Sequence, residues 1–260
     1  KRKRRYTRRL KKLFRIGDKF TVPSKEMKAL LKRFGCPGHK IKVMYSGINL
    51  NKFQYTRREQ KTDNITVISV GRLHKKKGFR FLVKAFRKVR AKHPSSRLII
   101  VGYGGERKKL KRLVKKYKLK KHVKFKGYVN HARLAKMLAR ADIFCLPSVK
   151  TKDGNREGIP NSMKEAMATG LPVVSTKHGG IPELVTDGVE GLLVPERNVR
   201  KLAEKINYLI ENPAVRQKMG ENGRAKVECK FNVKKQVKKL ENIYRDLIKR
   251  RRKSWKKSKR

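Results

Sequence analysis

Between Ile65 and Val194 the sequence repeats one unit: a short β-branched apolar run, a turn, and a stretch with apolar residues at helical spacing. ITVISV precedes FRFLVKAFRKVRAKHP, in which Phe79, Leu82, Val83 and Phe86 share a helical face. RLIIV leads through GYGG into ERKKLKRLVKKYKL, whose stripe is Leu110, Leu113, Val114 and Tyr117. HVKFKGYV, DIFCLPS, LPVVST and EGLLVP continue as strands. HARLAKMLARA, NSMKEAMATG, IPELVTDG and VRKLAEKINYLIENP read as helices. Apolar runs of this kind suit strands buried on both faces. Strand–helix–strand units with short connections join parallel strands through right-handed crossovers. The expectation is an α/β fold: a Rossmann-like, doubly wound parallel sheet with helices on both faces. Ligands of such sheets bind beyond the carboxyl ends of the strands, so function is sought in those loops.

The flanks are simpler. KFTVP reads as a short strand, Ser24 as the cap of a helix to about Phe34, and Gly35 as its stop. KIKVMY is a strand and NKFQYTRREQKTDN a polar linker. Two helices, about 213–225 and 232–250, close a domain drawn over residues 18–248. Residues 1–17 form a basic arm in which Tyr6, Leu10, Leu13 and Phe14 recur near helical spacing. That arm reads as a helix docked on its own domain, with a membrane-surface helix as the alternative. Residues 249–260 read as a basic tail holding the single Trp, Trp255.

The chain does not begin with Met, which suggests trimming. No apolar segment follows the basic start as in a signal peptide, and no apolar run is long enough to span a bilayer. A cytoplasmic location is expected, with peripheral attachment at the inner membrane face through the basic ends as a refinement. Cys36, Cys145 and Cys229 have no metal-ligand spacing and read as thiols of a reducing compartment.

Charge singles out one window. The chain has 75 Lys and Arg against 19 Asp and Glu, a formal net charge of +56. Such a surface attracts polyanions: nucleic acid, anionic lipid or acidic polysaccharide. Residues 150–200 are balanced instead, with seven basic residues (150, 152, 156, 164, 177, 197 and 200) and seven acidic ones (153, 157, 165, 183, 187, 190 and 196). Neutrality inside such a chain suggests that chemistry fixes those residues.

Four loops carry candidates. In VGRLHKKKG, Arg72 and Lys77 follow a strand and are framed by Gly71 and Gly78. Arg can grip two phosphate oxygens and Lys adds a point charge. They are also two more cations in a cationic protein. VGYGG, with Gly104, is a glycine turn. It serves either a tight backbone or the close approach of a nucleotide, and it lacks the third glycine of a dinucleotide fingerprint. In EGIPNSMKE, Asn161 or Ser162 reads as a helix cap. Glu157 precedes the helix and Glu165 lies about one turn inside it. Two carboxylates flanking a helix N-terminus suit a sugar nucleotide, each acid accepting from hydroxyls while the helix end holds phosphates. The plainer alternative is two surface acids near a helix start. HGGIPELV lets a ligand or backbone come close at its glycines, with His178 as a polar rim residue.

Together with YSGINLNKF, VKFKGYV, ADIFCLPS, AMATGLPVVSTKHGGIPELV and GLLVPERN, these motifs resemble the C-terminal, donor-binding half of a family 4, retaining glycosyltransferase of the GT-B fold. The resemblance runs from about residue 18 to about 248, and its REGIPNS variant is most similar to bacterial exopolysaccharide and lipopolysaccharide enzymes. It implies that Arg72 and Lys77 bind the diphosphate and that Glu157 contacts the donor sugar, these three forming the catalytic set. It implies that the backbone of Gly158, Ile159, Pro160 and Asn161 helps hold sugar and phosphates, with Gly71 and Gly104 at the nucleotide and Glu165 on the ribose. The substrate would be a UDP- or GDP-sugar, with no metal in the site and a saccharide or lipid-linked acceptor. The family's N-terminal domain, about as large again, is missing, so the chain alone would transfer weakly or not at all. Family members are rarely so basic, which suggests surface supercharging or adaptation to a polyanion. The competing expectation is a non-catalytic module on this scaffold that binds nucleic acid or an anionic membrane.

Overall fold

The computed structural model describes the backbone over residues 2–258 and side chains over residues 6–252. The side chain of Trp255, part of the membrane reading, lies outside the described residues. The elements are α1 (Arg2–Ile16), β1 (Phe20–Val22), α2 (Lys25–Arg33), β2 (Ile41–Val43), β3 (Thr66–Val70), α3 (Phe79–Lys92), β4 (Arg97–Val101), α4 (Arg107–Lys116) and β5 (Val123–Gly127). They continue as α5 (His131–Ala139), β6 (Ile143–Leu146), α6 (Asn161–Ala168), β7 (Val173–Thr176), α7 (Ile181–Leu184), β8 (Gly191–Val194), α8 (Val199–Glu211), α9 (Pro213–Lys230) and α10 (Val233–Ser258).

The chain divides into two compact units, residues 48–229 and residues 1–47 with 230–260. This differs from the single domain drawn over 18–248. The second unit takes the segments on either side of the strand–helix repeat, which periodicity alone reads as its continuation.

In residues 48–229 the sheet has six parallel strands in the order β5-β4-β3-β6-β7-β8. The expected doubly wound architecture is present. β6, β7 and β8 are buried along their whole length, as their unbroken apolar runs require. β5 is an edge strand, and Lys124 and Lys126 face outward from it, which blunts the edge. The order reverses between β3 and β6, so the switch-point crevice opens between Val70 and Leu146. Ile68, Ile100, Phe144 and Val174 form the dry centre. On α4, Lys108, Lys109, Lys111, Arg112, Lys115 and Lys116 cover the outer face while Leu110 and Val114 pack inward.

The other unit pairs β1 with β2 in parallel, Phe20 opposite Ile41. Phe14, Val22, Cys36 and Ile41 make a small core, with Leu10, Phe20, Leu31 and Val43 against it. The basic arm is therefore a docked helix: Phe14 and Leu10 turn inward, whereas Tyr6 and Leu13 are exposed. Lys40 closes its C-terminus, donating to the carbonyls of Phe14, Arg15 and Gly17 at 3.0, 3.1 and 2.8 Å. Ser24 caps α2 through its oxygen to the Met27 N–H at 3.1 Å. The expected basic tail is helical in its described part, since α10 runs on to Ser258.

Candidate functional site

Two loops are stitched together at the switch point. The first follows β3 and contains a short 3-10 turn at Lys75–Lys77. It ends at Gly78, whose φ of 70° and an added Cβ only 1.8 Å from the Pro147 carbonyl oxygen admit no side chain. The second follows β6. The Val149 N–H donates to the Lys76 carbonyl at 2.8 Å, and Lys76 Nζ donates to the Arg156 carbonyl at 3.3 Å. This joining places Lys77 Nζ 2.7 Å from Glu157 Oε2, with Lys76 Nζ at 3.8 Å. That oxygen is buried and held by charge rather than by an aligned hydrogen bond.

α6 rises from the same loop. Pro160 stands at its N-cap position with no side-chain cap, and Asn161 is its first residue. This corrects the expectation that Asn161 or Ser162 caps it. The Ser162 hydroxyl donates instead to the Val70 carbonyl at 2.8 Å, pinning the helix start to the end of β3. At the other end, Arg224 Nη1 donates to the Ala168 carbonyl at 2.8 Å and Arg58 Nη1 to the Thr169 carbonyl at 2.8 Å. Two guanidinium groups thus meet the negative end of the helix dipole, and the uncapped positive end faces the Glu157 loop.

Glu165 lies within α6 and is 8% exposed. Burial pushes its carboxyl up, opposed by His131 and Lys164. His131, the first residue of α5, brings Nδ1 to 4.0 Å from Glu165 Oε1. Burial lowers the neighbouring Lys164 ammonium to about 8, opposed by Glu165. Glu165 takes no part in the Lys77–Glu157 ion pair.

The glycine loops complete the edge. The Gly71 N–H donates to the Val101 carbonyl at 3.0 Å, and an added Cβ at Gly104 would lie 2.6 Å from the Leu73 oxygen. At Gly104 the neighbouring backbone therefore excludes a side chain, a reason that stands beside the candidate ligand reason. Arg72 is exposed beside them, and among the described residues its guanidinium has no partner. Gly158 is exposed and open on its Cβ side, next to half-buried Ile159 and buried Pro160.

Sequence reasoning missed three contributors. His178 is buried, not a rim residue. It accepts the Glu157 N–H on Nε2 at 3.0 Å, and its Nδ1 lies 2.6 Å from Glu196 Oε1. Burial raises the Glu196 carboxyl, but the Lys150 amide, His178 and Arg197 outweigh it and leave it below the usual range. Glu196 could have been suspected from its place just after β8, at the same sheet edge. His131 carried no signal beyond its helix start.

A groove of about 1020 Å³ opens nearby between α3, α4 and the Val149–Asp153 loop, and Arg72, Lys77, Glu157 and Glu165 do not line it. Chemistry rather than volume locates the candidate site. Among the described residues no group of three or more His, Cys, Asp or Glu could hold a metal ion, and no helix is long and apolar enough to cross a membrane.

The family model "Glycosyl transferases group 1" matches residues 51–226, and "Glycosyltransferase Family 4" matches residues 1–52. The putative colanic acid biosynthesis glycosyltransferase WcaL of Salmonella typhimurium is 38% identical over 77% of this chain and 50% of its own length. A GDP-mannose-dependent monoacylated alpha-(1-6)-phosphatidylinositol monomannoside mannosyltransferase of Corynebacterium glutamicum is 35% identical over 76% of this chain and 54% of its own. The chain thus spans about half the length of these curated relatives. HepE of Anabaena, solved in complex with UDP and glucose, superposes with a TM-score of 0.80 at 24% identity over 92% of this chain and 67% of its own, a likeness of fold.

Proposed function

Because the chain belongs to the glycosyltransferase group 1 family, we propose that residues 48–229 bind a nucleoside-diphosphate sugar at the crevice between β3 and β6. Arg72 and Lys77 take the diphosphate, helped by the uncapped start of α6. Glu157 and the backbone of Gly158, Ile159, Pro160 and Asn161 take the sugar. Glu165 takes the ribose hydroxyls, with Gly71 and Gly104 letting the nucleotide lie close to the backbone. The relative from Corynebacterium, GDP-mannose-dependent by name, supports this ligand class.

The observation that carries the reading is the 2.7 Å Lys77–Glu157 contact beside an uncapped helix N-terminus. It sets an anion-binding group directly against a hydroxyl-accepting one, the order in which a diphosphate and a sugar follow each other. In transfer, the leaving diphosphate gains negative charge. Arg72, Lys77 and the helix end supply the opposing charge. Transfer to a saccharide or lipid-linked acceptor, with retention, is proposed for the longer proteins of this type, whose additional N-terminal domain would form the other wall of the cleft.

Thermal melts with UDP-glucose and GDP-mannose test the proposal. One of them raises the Tm of the wild type, and Glu165→Ala removes the rise. Equal rises in both proteins overturn the assignment of Glu165.

A second reading concerns a different surface. The exposed Lys and Arg of α4 suit a polyanion, either nucleic acid or the anionic inner face of a membrane. It is compatible with donor binding.

A further inference from the structure

We infer that His178, backed by Glu196, is a positioning residue that sets where Glu157 and the backbone after it lie. The inference rests on the donor reading only for what Glu157 would hold. His178 is 4% exposed and sits in the loop after β7. Its Nε2 receives the Glu157 N–H at 3.0 Å. A ring nitrogen accepts only through a free lone pair, so the proton of a neutral ring must be on Nδ1. Nδ1 faces Glu196 Oε1 at 2.6 Å, which suits donation to a carboxylate. The other Glu196 oxygen accepts the Lys150 N–H at 2.9 Å, so the carboxylate cannot swing away without losing a second bond.

Three segments distant in sequence are thereby fixed to one ring: the Lys150 and Glu157 ends of the loop after β6, the loop after β7, and Glu196 in the turn after β8. The glycines beside the histidine extend the support. An added Cβ at Gly180 would lie 2.7 Å from Ile159 Cγ1 and 3.3 Å from the Gly158 carbonyl carbon. The close approach allowed by HGG is thus that of the Ile159 side chain and the Gly158 backbone. Lys77 holds the Glu157 side chain and His178 holds its amide, so the carboxylate is aimed from both ends. A histidine buried for packing alone need not accept this particular N–H. Its loss would weaken fold and ligand binding together.

The test combines spectroscopy with binding, using wild type, His178→Ala, His178→Gln and Glu196→Gln. Nitrogen-15 NMR should show His178 protonated on Nδ1 with Nε2 bare. The Glu157 amide resonance should move in His178→Ala and return toward its wild-type position in His178→Gln, whose amide oxygen can accept. Calorimetry with UDP and UDP-glucose should show a selective effect in His178→Ala. The advantage of UDP-glucose over UDP falls about fivefold, the size of one hydrogen bond, while UDP affinity holds. Glu196→Gln should show a smaller change in the same direction. A proton on Nε2, an unmoved Glu157 amide, or equal losses for UDP and UDP-glucose would overturn the inference. A wild type that binds UDP-glucose no better than UDP counts against the donor reading, and the NMR arm then decides the role of His178 by itself.

Discussion

Glu165, proposed above to take the ribose, opposes the fold that holds it. Its carboxyl is raised by burial, so the native state binds that proton more tightly than the unfolded chain does. Its contribution to stability is fully present below the unfolded value and is lost as pH rises through the folded one. Glu165→Gln should therefore raise the Tm at pH 7, and the gain should vanish near pH 4, as calorimetry at the two values would show. Lys77 and Glu157 were legible in the sequence because each occupies a loop after a recognisable strand. Their partners were less legible. His178 and Glu196 come from loops after different strands, and no periodicity records which loops touch. Arg58 was hidden by composition, since one arginine among 75 basic residues carries no signal of its own. Yet Arg58 Nε donates to the Ala141 carbonyl at 2.7 Å and Nη2 to that of Leu138 at 3.1 Å.

At the scale of elements, α6 is tied at both ends, by Ser162 to Val70 and by Arg58 and Arg224 at its C-terminus. Adjustment to a ligand then falls to the exposed residues 152–156 in the middle of the loop after β6, rather than to the helix or to the pinned ends of that loop. Arg58→Ala strips a charged donor from several carbonyls and should cost on the order of 2–3 kcal/mol in chemical denaturation. Gly78→Ala should cost at least about 2 kcal/mol, because positive φ and the Pro147 carbonyl both oppose a methyl group. Strands and helices were legible because period and punctuation agree along the repeat. Boundaries slipped where a distant group decided them. The Ser162 hydroxyl took a tertiary partner in place of a cap. α10 ran through a segment read as a tail because Lys and Arg are good helix formers.

For the molecule as a whole, handed crossovers between parallel strands were legible, but neither the strand order nor the division at Gly47 and Lys230 was, the latter because it depends on packing between the two ends of the chain. The excess charge predicts tight, sequence-tolerant binding of a DNA duplex that weakens steeply with added salt, measurable as a steep negative slope of log K against log salt. A shallow slope would count against the polyanion reading. The outer face of α4 adds a consequence of its own. Lys108 with Arg112, Lys111 with Lys115 and Arg112 with Lys116 are like charges one turn apart, and they push against the helix they decorate. Dissolved ions relax that crowding. Potassium chloride should thus slow hydrogen exchange along α4 in the same titration that releases DNA, so one reagent tightens the protein while loosening its grip.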